Sequence, residues 1–333
     1  MSDIITLLQV VFNVKGSDEL NKTNLNTDTH KDIYNAIHPA TRIGTVHLSV
    51  ADLDRQVRFY QEVIGLQTHW REGATVGLGA GGHDLLRLTQ IPGARRFRGT
   101  TGLYHFALLL PSRRELARVI GRLLEMGYPN YPTDHVMTKT TYLDDPEGQN
   151  IELYADTPED GTFTIKDGVL GARRANGALS DGREPLDVEA LLGELSPGDR
   201  LDQPMPSGTT VGHVHLYVAD LDEGLRFYHG VLGFDDMGLA RSFRMGMVSA
   251  GGYHHHIGFN TWVGQGAPPP PPDSLGLRHF SVVLPDQAGL DSVVERLQKA
   301  GVAMEPREAG FLVRDPSQNG ILLTTHAELP REA

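Results

Sequence analysis

The stretch VHLSVADLDRQVRFYQEVIGL (residues 46–66) decides the fold, because it returns as VHLYVADLDEGLRFYHGVLGF (214–234). Both copies read as a strand, an Asp-Leu-Asp turn, an amphipathic helix and then a glycine. A second echo pairs GLYHFALLLP (102–111) with GLRHFSVVLP (276–285), and a third pairs DPEGQNIEL (145–153) with DPSQNGILL (315–323). The offsets agree to within a few loop residues, which is the mark of a duplicated domain.

Each copy also halves. In the first, residues 45–50 alternate as a strand and residues 53–64 read as a helix, followed by short strands to about residue 91. The second half opens on the apolar strand 103–110. It continues through 113–126, where Leu116, Val119, Ile120, Leu123 and Leu124 keep the spacing of a core-facing helix. Strands near 132–136, 139–144 and 149–155 close it. The unit is strand–helix–three strands, and the chain carries it four times. The predicted organisation is a polar extension at 1–40, a first domain at 41–158, a linker at 159–210 and a second domain at 211–328. Within the linker one short helix is expected at 187–195, capped by Asp187.

Thirty basic against forty-two acidic residues give a net charge of −12, so neither nucleic acid nor an anionic membrane is expected as partner. There is no cysteine, which excludes disulfides, thiolate metal sites, iron–sulfur clusters and a cysteine nucleophile. The apolar run 4–14 is short and interrupted by Gln9 and Asn13, and no signal peptide is apparent, so a cytoplasmic protein is expected. Any metal must be held by His, Asp or Glu, and the chain has fifteen histidines.

Three ionisable residues stand mid-strand among apolar neighbours: His47 in VHLSV, His105 in LYHFA and Glu152 in NIELY. Singly, each reads as a strand residue turned to water. Together they occupy the first strand of one half and the first and last strands of the other. If the halves pack as pseudo-twofold mates, all three can aim into one concavity. Two imidazoles and one carboxylate on one side of a metal leave positions open for substrate and dioxygen, as in non-haem Fe(II) oxygenases.

These units, with VADLD after the His strand and DPEGQNIEL at the end, resemble the vicinal oxygen chelate superfamily of glyoxalases, extradiol dioxygenases and drug-resistance proteins. The resemblance covers about 43–155 and 211–326. It implies an α+β fold of two tandem domains, each a pair of βαβββ modules forming a U-shaped sheet around a site. Residues 133–152 resemble the extradiol signature, with His135, Tyr142, Asp145, Pro146, Gly148 and Glu152 in order, and Thr141 departing where an aliphatic residue is usual. The resemblance implies His47, His105 and Glu152 as metal ligands, with His135 and Tyr142 acting on substrate. It implies Fe(II), or Mn(II) in its place, and cleavage of a small aromatic diol by dioxygen. A homo-oligomer is expected. The family's further histidine, which assists dioxygen, has no secure place; His83 is one option.

The second copy has His215 and His279, but Leu322 stands where the first has Glu152. His256 could rebuild a three-histidine site with them, for Zn(II) or Ni(II); the competing reading is a degenerate site. Two rivals to the oxygenase remain: a glyoxalase-type isomerase or lyase, and a non-catalytic binding protein.

Overall fold

The computed structural model describes residues 36–326. The first unit is β1 (Arg42–Val50), α1 (Leu53–Phe59), β2 (Gln67–Glu72), β3 (Thr75–Gly79) and β4 (Asp84–Gln90). The second is β5 (Gly102–Leu109), α2 (Arg113–Glu125), β6 (Tyr131–Asp134), β7 (Thr138–Asp144) and β8 (Asn150–Asp156). The linker folds as β9 (Gly161–Lys166), β10 (Val169–Arg174), β11 (Leu179–Ser180), β12 (Glu184–Pro185) and α3 (Val188–Leu192). The third unit is β13 (Thr210–Tyr217), α4 (Leu221–Leu225), β14 (Asp235–Ala240), β15 (Met245–Ser249) and β16 (Ile257–Asn260). The fourth is β17 (Gly276–Val283), α5 (Gln287–Lys299), β18 (Met304–Arg307), β19 (Gly310–Arg314) and β20 (Gly320–Thr324).

The repeated Asp-Leu-Asp turn works as a helix cap in both copies. Asp52 Oδ1 accepts from the Arg55 N–H at 3.0 Å, and Asp220 Oδ1 from the Glu223 N–H at 2.9 Å, satisfying donors that the first turn leaves open. Both helices run on into a π turn, at Tyr60–Ile64 and Arg226–Val231. The apolar stripe of α2 is buried as its spacing predicts, through Leu116, Val119, Ile120 and Leu123, while Leu124 is exposed. Asp187 caps α3 through the Ala190 N–H at 2.9 Å.

The α+β class and the tandem copies stand, but the units pair across the copies. One sheet has the order β18-β19-β20-β17-β1-β4-β3-β2, joining the first unit to the fourth. The other has the order β12-β6-β7-β8-β5-β13-β16-β15-β14, joining the second to the third. At the centre of each, two first strands run antiparallel, with His47 opposite His279 and His215 opposite His105. The four first strands share one alternation of apolar and polar residues, so any two of them bury the same faces. The pattern therefore cannot choose partners. The helices cover one face of each sheet, and strands and helices share one continuous apolar core. The linker is built into the second sheet: β12 extends its edge beside β6. Phe163, Ile165 and Leu170 pack on Met245 and Met247. Among the described residues no helix is long and apolar enough to cross a membrane.

Candidate metal centre

On the concave face of the second sheet, β5, β8 and β13 bring three donors together. Glu152 Oε2 lies 3.2 Å from His105 Nε2 and 3.0 Å from His213 Nε2, and the two nitrogens are 3.4 Å apart. Donors about 2.1 Å from one ion, at right angles, sit about 3 Å from each other. The spacing therefore fits one small divalent ion. The chemistry of the set agrees, since lone pairs of two neutral imidazoles and a carboxylate facing one point are mutually unfavourable until a cation or proton lies among them. All three side chains are buried. Burial works to raise the Glu152 carboxyl, but His213 and His105 outweigh it and hold it well below the usual range. Burial lowers His105, partly offset by Glu152.

His105 and Glu152 thus meet as expected, but with His213 rather than His47. The reason is the pairing of the units. His47 lies on β1 in the other sheet, its Nε2 2.8 Å from Thr89 Oγ1 and its ring 4.9 Å from that of His279. Sequence reasoning missed His213. Its signal was the spacing in GHVHL, where two histidines share one strand face and the first copy has Thr45 at the first position.

His135 and Tyr142 are brought to the site. Their Nε2 and hydroxyl are 2.9 Å apart, and the Tyr142 ring centroid lies 5.6 Å from that of His105. The linker positions His135 from the other side, with its Nδ1 2.5 Å from Gly182 O. Burial pushes the Tyr142 hydroxyl well above its ordinary value, and Glu152 adds to this.

The set His215, His256 and His279 is not assembled. His279 lies in the first sheet. His256 turns away, its Nδ1 accepting from the Ala250 N–H at 3.2 Å and lying 3.0 Å from Ser249 Oγ. His215 instead lies beside the His105–Glu152–His213 cluster, edge-on to Tyr104 and 5.2 Å from the His105 ring. Tyr104, Tyr217 and Trp262 form an aromatic wall around it. His254–His256 precede β16 in a loop, so strand alternation does not sort them. His254 and His255 both approach His213. The His255 ring centroid is 4.1 Å from that of His213, and its buried Nδ1 has no protein partner. His83 is exposed on the turn before β4.

The family model of the Glyoxalase/Bleomycin resistance protein/Dioxygenase superfamily matches residues 42–153 and 210–322. The chain belongs to this superfamily. It is 41% identical over 284 residues to the catechol-2,3-dioxygenase of Bacillus subtilis (strain 168), covering 84% of this chain and 96% of that one. Among solved structures, a putative dioxygenase from Bacillus subtilis subsp. subtilis str. 168 matches with a TM-score of 0.55 at 14% identity, over 85% of this chain and 84% of its own. Glyoxalase I from Zea mays matches with a TM-score of 0.50 at 16% identity, over 86% and 92%. At such identities the two structures speak for the superfamily fold only, in which the His105–Glu152–His213 cluster sits on a concave sheet face.

Proposed function

We propose that the protein is an extradiol dioxygenase that cleaves a small catechol-like diol at an Fe(II) held by His105, Glu152 and His213. The observation that carries this is the convergence of three donor atoms within 3.4 Å. It is supported by the identity to a catechol-2,3-dioxygenase over nearly its whole length. Bound there, Fe(II) would supply redox coupling between a diol and dioxygen, and Mn(II) could take its place.

The chain's own groups account for the remaining tasks. One diol hydroxyl must lose its proton, and His255 stands beside the ligand His213. Burial, with His213 adding to it, holds its imidazole well below the ordinary value and so neutral, and its Nδ1 has no protein partner and can take a hydrogen bond from the diol. Tyr142 and His135 form a hydrogen-bonded pair on the Glu152 side, where a hydroxyl donor and a second imidazole can move a proton to the cleaved ring. Tyr104, Trp262 and His215 offer ring faces and edges against which an aromatic ring can pack.

An isomerase of the same superfamily is the second reading. It would call for a fourth protein ligand from the last strand of the partner unit. Opposite His215 on β16 that position is Gly258, which has no donor. Three protein ligands favour the oxygenase. The deciding experiment is anaerobic reconstitution with Fe(II), then oxygen uptake and the appearance of a yellow ring-cleavage product on adding catechols. Stoichiometric iron with no oxygen uptake on any of the diols would rule the reading out.

A further inference from the structure

The concave face of the first sheet takes no part in the chemistry above. Strand register fixes its correspondence with the metal centre. His279 stands in the place of His105, Thr45 in that of His213, and Leu322 in that of Glu152. Two of three donors are gone. The neighbours have changed too, all in one direction. Arg87 lies opposite His47 where Gly258 lies opposite His215. Arg314 lies opposite Gly320 where Asp144 lies opposite Asn150. Arg278 precedes His279 where Tyr104 precedes His105. Carboxylates have been removed and guanidiniums added, in a chain whose net charge is −12.

Part of this charge is balanced locally. Arg307 pairs with Glu305 at 2.6 Å, and Arg87 lies 3.5 Å from Asp84 and over the Trp70 ring. Arg278 and Arg314 have no carboxylate within 4.0 Å among the described residues. Arg87, Arg278, Arg307 and Arg314 all reach the His279 imidazole electrostatically and, after burial, are what lowers it to about 4. A cation would be repelled from this face.

Two polar groups on the same face lack partners. Ser281, two residues along β17 from His279, is 1% exposed and its Oγ has no hydrogen bond. His47 Nδ1 is likewise buried without a partner. Thr75 and Thr89 hydroxyls, 2.9 Å apart, lead to His47 Nε2, so a hydroxyl can donate there and leave Nδ1–H as a donor. We propose that this face binds a small oxyanion, a carboxylate or a phosphate, held by Arg87, Arg278 and Arg314 with His47 and Ser281 as hydrogen-bond donors. Guanidiniums suit planar and tetrahedral oxyanions through their forked donors. The duplication has thus turned one cation cradle into an anion cradle.

The test is calorimetric titration of inorganic phosphate and, separately, benzoate into the full chain. Saturable binding of at least one is expected, and which one binds tells phosphate from carboxylate. The double variant Arg87→Gln/Arg314→Gln should weaken it by about tenfold or more, because it removes two charges from the site. Arg314→Lys, which keeps the charge, should retain binding and control for folding. His213→Ala, at the metal centre, should bind the anion as the unaltered protein does. Absence of saturable binding for both anions overturns the proposal, as does binding that survives the double variant or disappears with His213→Ala.

Discussion

The Tyr60 hydroxyl donates a buried 3.1 Å hydrogen bond to Asp145 Oδ2, tying the π turn that follows α1 to the loop that leads into β8. Asp145 Oδ1 accepts from the backbone N–H groups of Glu147 and Gln149 at 2.8 and 2.9 Å, so the Asp-Pro motif is a loop clamp seven residues ahead of Glu152. The second copy repeats it, with Tyr228 to Asp315 at 2.7 Å. The tyrosines therefore bind first to second unit and third to fourth, while the sheets join first to fourth and second to third. Tyr60→Phe leaves a buried carboxylate oxygen short of a donor and should cost about 1–3 kcal/mol in urea unfolding. Metal content should be unchanged.

His213→Ala should abolish stoichiometric metal and ring cleavage, because it removes one of three converging donors. The loss should exceed the 10–100-fold that follows from losing an outer-shell partner. His47→Ala should keep both metal and rate. Metal analysis of the two variants checks this, and the reverse result would return the ligand to the other sheet.

Changing His135 to Ala or Tyr142 to Phe should leave metal bound and lower turnover by about 10²-fold, the usual worth of a positioned proton-transfer group. Steady-state rates with a good diol, beside metal content, separate this from a structural effect. Unaltered turnover would make the pair a support for Glu152 and nothing more.

Acid should destabilise the protein through His256. Burial, with His213 adding to it, lowers this imidazole to about 4 in the folded chain. Its Nδ1 accepts from the Ala250 N–H, a bond that protonation would break. Against an unfolded value of about 6.5, the unfolded chain takes up the proton first. The linked stability is whole above about pH 6.5 and falls as pH drops towards 4, by about 3 kcal/mol in total. Urea midpoints measured across that range for the protein and for His256→Gln should converge at the acid end.

Much of this was open to reading from residues alone. The duplicated VADLD turn marked where two helices begin, Asp187 was legible as a cap, and the stripe on α2 gave its buried face. His105 and Glu152 were visible as ionisable residues in apolar strands, and His135 with Tyr142 through their signature. Partner choice was not legible. Strand pairing depends on which edges the chain can bring together, and four alike first strands carry no record of it, so His47 stood in for His213. His255 was hidden for a related reason: a loop, not a strand, presents it, and period-two alternation says nothing there.

Because His213 reaches its two companions from across the linker, the duplicated copies are not two enzymes on one string. On the proposed assignment neither half carries a complete ligand set, and a cut in 157–209 would leave each with first strands in search of partners. Such a fragment could close its sheets by pairing its own two units or by finding another chain, and the linker is what holds the two copies together in the full chain. It also binds the two copies to a common fate in evolution. On the proposed ligand set, the second copy carries Leu322 where the first has Glu152, yet it cannot surrender His213 without disarming the first.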